Sequence, residues 1–356
     1  MLQPAYSIQE IERRLASSID WNQARIKFLA RFLVALISVK TVSLTQIASV
    51  LPGEAQAASS YKRIQRFLRH FALDYAALAR LVIALVAPEE PWVLAFDRSD
   101  WKLGRVSINI LMLVVVHQGV GFPLFWRVLG KAGASNRDER IALLTRFVTT
   151  FGTSAVGYVC ADREFASRAL LSFLLQENLS FRLRIRADTL VENGRGEMVR
   201  AQWLFRRCPY GQERSLSGLR QCLGQRLFVV GMRLRGDYLI VISDKAAALS
   251  QYALRWGIET LFGCLKSRGF CLEATHVTQT ERLERLLALL SVAFVWAFCA
   301  GVWRARREPI IAKKHGRPAV SQFRHGFDWL RPVLCVLCGR RRLADLRMAS
   351  RFLSCT

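Results

Sequence analysis

The chain has 356 residues, 52% of them hydrophobic, which excludes a disordered protein and leaves room for two or three modules. Lys and Arg number 52 against 27 Asp and Glu, a formal net charge of +25. An excess of that size points to a polyanionic partner, whether DNA, RNA or an anionic lipid surface, rather than to an enzyme of balanced charge. Nine cysteines without a signal-like start (Met1 to Asp20 carries acids and no apolar run) fit reduced thiols in a cytoplasm. Cys335 and Cys338 form the one close pair and lack the second half of a zinc spacing, while the five histidines are scattered.

In chain order, residues 1–88 read as a helical module. Apolar residues recur at helical spacing through Ala24–Ser43 and Tyr75–Val86. Between them, Ser59 and Ser60 precede a basic amphipathic helix that carries Lys62, Arg63 and Arg66, suited either to a DNA groove or to a solvated face. Pro88 and Pro91 mark a boundary. Trp92–Phe96 reads as a buried strand ending at Asp97, and Val106–His117 and Val120–Leu129 follow as strands around a Gln118-Gly119 turn. Asn136–Phe151 reads as a helix, Val156–Ala161 as a buried strand ending at Asp162, and Arg163–Gln176 as a helix. This order predicts an α/β core with a mixed sheet.

Residues 180–244 break the alternation and read as a β-rich insertion: Phe181–Arg186 alternates at period two, and Leu227–Leu234 and Tyr238–Ile242 are strand-like. A long helix is expected over Ala246–Arg268 and another over Glu281–Arg304. The uncharged run Leu286–Trp303 meets the lower limit of a membrane span, roughly 17–25 residues, and equally suits a core helix. The stretch 305–356, with Arg306, Arg307 and Lys313-Lys314-His315-Gly316-Arg317, reads as a basic C-terminal region, either weakly structured or DNA-tracking.

Three carboxylates stand out. Asp97 and Asp162 each end a predicted strand, where a fixed backbone can project a hard oxygen ligand of the kind Mg2+ and Mn2+ prefer. The helix over 246–268 carries Tyr252-x2-Arg255-x3-Glu259-x6-Lys266. At about 100° per residue these four fall within a sector of roughly 60°. A carboxylate, two cations and a phenol on one face suit a metal ligand beside phosphate contacts, with Arg able to bind in bidentate fashion.

With that spacing, and with Asp97 in Phe96-Asp97-Arg98-Ser99-Asp100-Trp101 and Asp162 in Ala161-Asp162-Arg163-Glu164-Phe165, the chain resembles the bacterial cut-and-paste DDE transposases of the insertion-sequence type 4 family, which carry a Tyr-Arg-Glu-Lys signature. The resemblance covers roughly residues 30–330. It implies an RNase-H-like catalytic domain over 89–304 with a β-rich insertion at about 180–244, preceded by a helical DNA-binding domain over 1–88. It further implies that Asp97, Asp162 and Glu259 bind two Mg2+ ions, for which Mn2+ substitutes, and that Tyr252, Arg255 and Lys266 grip phosphates near the cleaved end. In the family a base near that end is flipped onto an aromatic of the insertion, typically Trp; the comparable position here is Tyr238, with Trp203 a second candidate. The expected partners are inverted-repeat and target DNA and a second copy of the chain. The expected location is the bacterial nucleoid, with no membrane.

Arg98, Asp100, Arg163 and Glu164 flank the carboxylates and read either as orienting residues or as structural ion pairs. Lys131, Asn136 and Arg140 read as DNA contacts or structural groups, and His117 as a core histidine. The competing function classes are a DNA-binding transposase relative without catalysis, a related RNase-H-like nuclease indifferent to DNA ends, and a membrane protein resting on Leu286–Trp303.

Overall fold

The computed structural model describes residues 4–314, 316–335 and 340–354. His315 of the basic tail and Cys338 of the cysteine pair lie outside the described residues. Five helices open the chain: α1 (Pro4–Ala16), α2 (Gln23–Val39), α3 (Leu44–Ser49), α4 (Ala57–His70) and α5 (Tyr75–Val86). There follow β1 (Trp92–Leu103), β2 (Val106–His117), β3 (Val120–Leu129), α6 (Arg137–Phe151), β4 (Val156–Ala161) and α7 (Arg168–Gln176). The next stretch holds β5 (Phe181–Ile185), β6 (Leu190–Glu192), β7 (Met198–Arg200), α8 (Ala201–Phe205), β8 (Glu213–Ser215), β9 (Arg220–Cys222), β10 (Gln225–Leu234) and β11 (Asp237–Ser243). The chain closes with α9 (Leu249–Ala253), α10 (Trp256–Leu265), α11 (Thr280–Ala305), α12 (Gln322–Cys335) and α13 (Arg340–Arg351).

Local chemistry explains many of the boundaries. The Asn22 side chain accepts the Arg25 N–H to open α2, and the helix stops where Lys40 turns left-handed at φ 57°. Asp74 caps α5 through two N–H groups. Asn136 and Glu139 form a reciprocal capping box that starts α6. Ser167 caps α7, so the helix begins at Arg168 rather than at Arg163.

The chain divides into two compact units. One comprises residues 1–87, 101–108 and 261–356. Its centre is α11, against which α2, α4, α5 and α12 pack. The 18-residue apolar window of α11 has mean hydropathy 2.2 and is 83% buried. By length and composition alone the helix could cross a membrane; in the fold it is a core element. Gly301 of α11 and Gly326 of α12 bring the two backbones into direct contact: a Cβ on Gly301 would strike the Gln322 carbonyl, and one on Gly326 would strike the Ala297 carbonyl. The C-terminal stretch expected to be weakly structured is therefore helical in part. Phe323, Phe327 and Leu330 are 0–2% exposed because they recur at helical spacing on α12.

The other unit comprises residues 88–100 and 109–260 and holds most of the sheet. The strand order is β3-β2-β1-β4-β5-β11-β10-β9-β6-β7, with β8 on β10. β2 and β3 pair antiparallel, whereas β1, β4 and β5 run parallel. A mixed sheet of this order, with α6 and α7 in the connections, fits an RNase-H-like core. The stretch read as an insertion continues the same sheet: β5 pairs parallel with β4 through Val159 and Phe181, and β11 pairs antiparallel with β5.

Candidate active site

Asp97 lies on β1, and Asp162 directly follows the last residue of its parallel neighbour β4. The β1–β4 register ends at Phe96 opposite Ala161, so the two aspartates are the next residues along the chain on each side. β1 does not stop at Asp97 as the sequence suggested but runs on to Leu103; what ends at Asp97 is the pairing with β4. Phe96 and Phe165, close in sequence to the two aspartates, meet edge to face at 4.9 Å and both are buried. Burial pushes the Asp97 carboxyl up to about 6, against the opposing pull of Arg255 and of the Arg98 N–H, and the charges of Asp162 and Glu164 add to the rise.

The helix expected over 246–268 is broken. α9 ends at Ala253 and α10 begins at Trp256. Between them the N–H groups of Arg255, Gly257 and Ile258 donate to carbonyls three residues back, a tightened turn with a different angular spacing from an α-helix. α9 is pinned to the sheet: Leu249 and Tyr252 bury against Val230 and Val241, and Tyr158 Oη donates to the Gln251 carbonyl at 3.2 Å. Arg182, itself 5% exposed, donates to the Gln251 side chain and pairs with Asp244. α10 is set by a glycine pair. A Cβ on Gly257 would lie 2.9 Å from Val116 and 3.1 Å from the Gly121 nitrogen, and one on Gly121 would meet Gly257 and Ile258 backbone at 3.1 Å. Both positions thus need hydrogen for α10 to approach β3.

This geometry gathers three members of the four-residue signature. The Tyr252 hydroxyl donates to Asp162 Oδ1 at 3.3 Å. Arg255 spans two carboxylates, with Nη1 donating to Asp97 Oδ2 at 2.6 Å and Nη2 to Glu259 Oε1 at 2.6 Å. Arg255 is 4% exposed. Burial opposes its charge, but Tyr252, Asp97, Glu259 and Asp162 outweigh it and raise its pKa above that of an ordinary arginine. Lys266 falls beyond the end of α10, in the first compact unit, where Nζ pairs with Glu273 Oε1 at 2.9 Å and lies 5.2 Å from the Trp101 ring.

A second arginine, which the sequence reading did not single out, serves the third carboxylate. Arg184 on β5 reaches Asp162 Oδ1 at 3.6 Å and Asp237 Oδ2 at 2.9 Å. The only signal for it was the cation alternation in Phe181–Arg186. Tyr238, next to Asp237, is half-buried on β11, and its carbonyl accepts from Arg184 at 3.4 Å. Trp203 is 52% exposed on α8. Trp256, also not anticipated, is 58% exposed with its ring 5.2 Å from the Arg255 guanidinium.

The flanking charges are paired. Arg98 donates to both oxygens of Glu164 at 3.2 Å and pairs with Asp100 at 3.4 Å. Arg163 sits 3.9 Å from Asp237. Lys131 pairs with Glu139 at 2.9 Å, Asn136 is the α6 cap, and buried Arg140 bonds Ser135 over the Phe165 ring. His117 is half-buried at the end of β2, and burial lowers its pKa.

In the first unit, α4 buries Ile64 and Leu68 and exposes Lys62, Arg63 and Arg66. Ser60, expected near its cap, is buried within the helix, which starts three residues earlier at Ala57. Arg63 and Arg66 line an open cleft with Arg25 over the rings of Phe28, Phe67 and Phe71. Phe28 and Phe67 stack at 4.3 Å, Arg63 lies over Phe28 at 5.8 Å, and Arg25 lies over Phe71 at 4.3 Å. Burial, and then Arg31, lower the Arg63 pKa. Among the described residues, no ion pair involves Arg25, Lys62, Arg63 or Arg66.

Among the described residues no group of three His, Cys, Asp or Glu side chains stands at metal-holding spacing; the span between Asp97 and Glu259 holds a guanidinium instead. The donor chemistry nonetheless fits a hard divalent cation. Two of the carboxylates converge on one buried positive charge, and the third, Asp162, is close enough to act on it. A search of the curated proteins finds no match. The family model described as a transposase DDE domain matches residues 88–296, more than half of the chain and a span that includes all three carboxylates. The mixed sheet, the two aspartates that follow the β1–β4 pairing and this match lead to one conclusion: the chain belongs to the DDE transposase domain family.

Proposed function

We propose that the protein is the transposase of an insertion sequence of the type 4 group, binding the inverted-repeat ends of its element and catalysing metal-dependent DNA cleavage and strand transfer. The observation that carries this reading is the convergence of Asp97 and Glu259 on Arg255, beside Asp162. Asp97, Asp162 and Glu259 would hold Mg2+ or Mn2+. Such ions activate a water or a DNA 3′-hydroxyl and stabilise the leaving oxygen. Tyr252 orients Asp162 through its hydroxyl, and Arg255 carries a guanidinium suited to a phosphodiester. Lys266 supplies a further phosphate contact, and Tyr238 is the candidate platform for a displaced base. Lys62, Arg63 and Arg66 on α4, exposed and in no ion pair among the described residues, supply contacts to duplex phosphates. Pairing of two ends calls for two copies of the chain, acting at the bacterial nucleoid.

The test is cleavage of a duplex bearing the inverted repeat that flanks this gene, in Mg2+, by wild type beside Asp97→Asn and Glu259→Gln. Wild type is expected to nick at the repeat boundary, and both variants to bind the end but leave it intact. Cleavage by Glu259→Gln at the wild-type rate would sink the assignment of the three carboxylates. Specific, salt-sensitive binding by wild type without cleavage would make the protein a DNA-binding relative without catalysis.

A further inference from the structure

Arg255 does more than stand near the carboxylates. Its two terminal nitrogens each occupy one carboxylate oxygen, Asp97 Oδ2 and Glu259 Oε1, and the guanidinium lies 5.7 Å from the Tyr252 ring and 5.2 Å from the Trp256 ring. A divalent cation needs such oxygens as direct ligands, at roughly 2.0–2.1 Å for Mg2+. Guanidinium and metal compete for them, because two cations at that separation repel. Arg255 also carries an unmet demand: its Nε is buried and has no hydrogen-bond partner among the described residues, a costly state for a charged donor. The site as it stands neutralises the carboxylates but leaves a donor without an acceptor.

We propose that Arg255 is the resident counter-ion of the Asp97–Glu259 pair, that it holds divalent metal out of the free protein, and that an incoming DNA phosphodiester draws it away and so opens the site. The inference rests on the reading of Asp97 and Glu259 as metal ligands. A phosphodiester offers the Arg255 guanidinium oxygen acceptors, including one for Nε, in the bidentate geometry guanidinium favours. By linkage, each ligand then tightens the other: DNA promotes metal binding, and metal promotes retention of DNA. Metal loading is thereby confined to the DNA-bound protein, which limits off-site hydrolysis.

The experiment is Mn2+ binding to the full chain, read from the loss of the free-ion electron paramagnetic resonance signal. The proteins are wild type, Arg255→Gln and Asp97→Asn, each with and without a short duplex, the Asp97→Asn complex serving as the blank for Mn2+ held by DNA. Arg255→Gln without DNA is expected to bind Mn2+ at least about ten-fold more tightly than wild type, the equivalent of one charge-assisted hydrogen bond no longer broken. The duplex is expected to tighten binding by wild type and to have little effect on Arg255→Gln. Equal affinity of wild type and Arg255→Gln, with Asp97→Asn weaker than both, would overturn the counter-ion role while leaving the ligands in place. Identical binding by Asp97→Asn and wild type in the presence of the duplex, with Arg255→Gln no tighter without it, would instead remove the ligand reading beneath it. Should Arg255→Gln fail to melt cooperatively, the duplex effect on wild type decides alone, and unchanged affinity on adding DNA overturns the proposal.

Discussion

At Asp97 two effects oppose each other: burial penalises the carboxylate, and Arg255 and the Arg98 N–H favour it. The net result is a carboxyl raised from 3.8 to about 6. A raised acid contributes stability that is fully present below its ordinary pKa and is lost as pH rises through about 6. Asp97→Asn, which keeps the shape and removes the charge, is therefore expected to be more stable than wild type at pH 8 by about 2–3 kcal/mol, since each unit is worth about 1.4 kcal/mol. The gap should close by about pH 4. Urea titrations at the two pH values measure it; an Asp97→Asn protein less stable than wild type at pH 8 would show that the Arg255 pair outweighs burial. Of this chemistry, the sequence showed Arg255 four residues before Glu259, but not that the two pair. Nor was the Asp162–Arg184 contact readable, because it depends on β4 and β5 lying side by side, which no local pattern encodes.

At the level of elements, the site depends on how α9 and α10 are set against the sheet. Periodicity alone gave one continuous helix, since the apolar pattern runs through Leu254 and Arg255 without a proline. The break is a tertiary effect: Gln251 and Tyr252 are tied to Tyr158, Arg182 and Asp162, while Gly257 must approach Gly121. Gly257→Ala is accordingly expected to lower unfolding stability by about 1–3 kcal/mol, because its methyl meets backbone that cannot yield. Gly263→Ala on the same helix meets only the flexible Arg268 side chain and should be neutral or stabilising, through helix propensity worth up to about 1 kcal/mol. Denaturant midpoints of the two variants separate these outcomes, and equal midpoints would refute the close-approach argument. α12 makes the complementary point. Its core positions Phe323, Phe327 and Leu330 stood at helical spacing in the sequence, but surrounding charge and Pro332 hid them.

For the whole molecule, the +25 charge and the exposed arginines of α4 set an expectation for duplex binding. Its affinity should fall steeply with salt, and the combined change Arg63→Ala and Arg66→Ala should lower the log–log salt slope by about 2, roughly 0.9 for each phosphate no longer neutralised. Fluorescence anisotropy across a salt series checks this; an unchanged slope would take α4 out of the interface. Composition and charge thus narrowed the partner to a polyanion, and periodicity marked the longer sheet strands, because each is a property of neighbours along the chain. The apolar run Leu286–Trp303 stayed ambiguous at that level, since a membrane and a protein core select the same residues; packing against α2, α4, α5 and α12 makes α11 a core helix. Tertiary structure alone put Arg255 between Asp97 and Glu259, continued the sheet through β5 to β11, and gave Arg184 to Asp162. Those arrangements depend on which distant segments meet, and burial decides that over the chain as a whole.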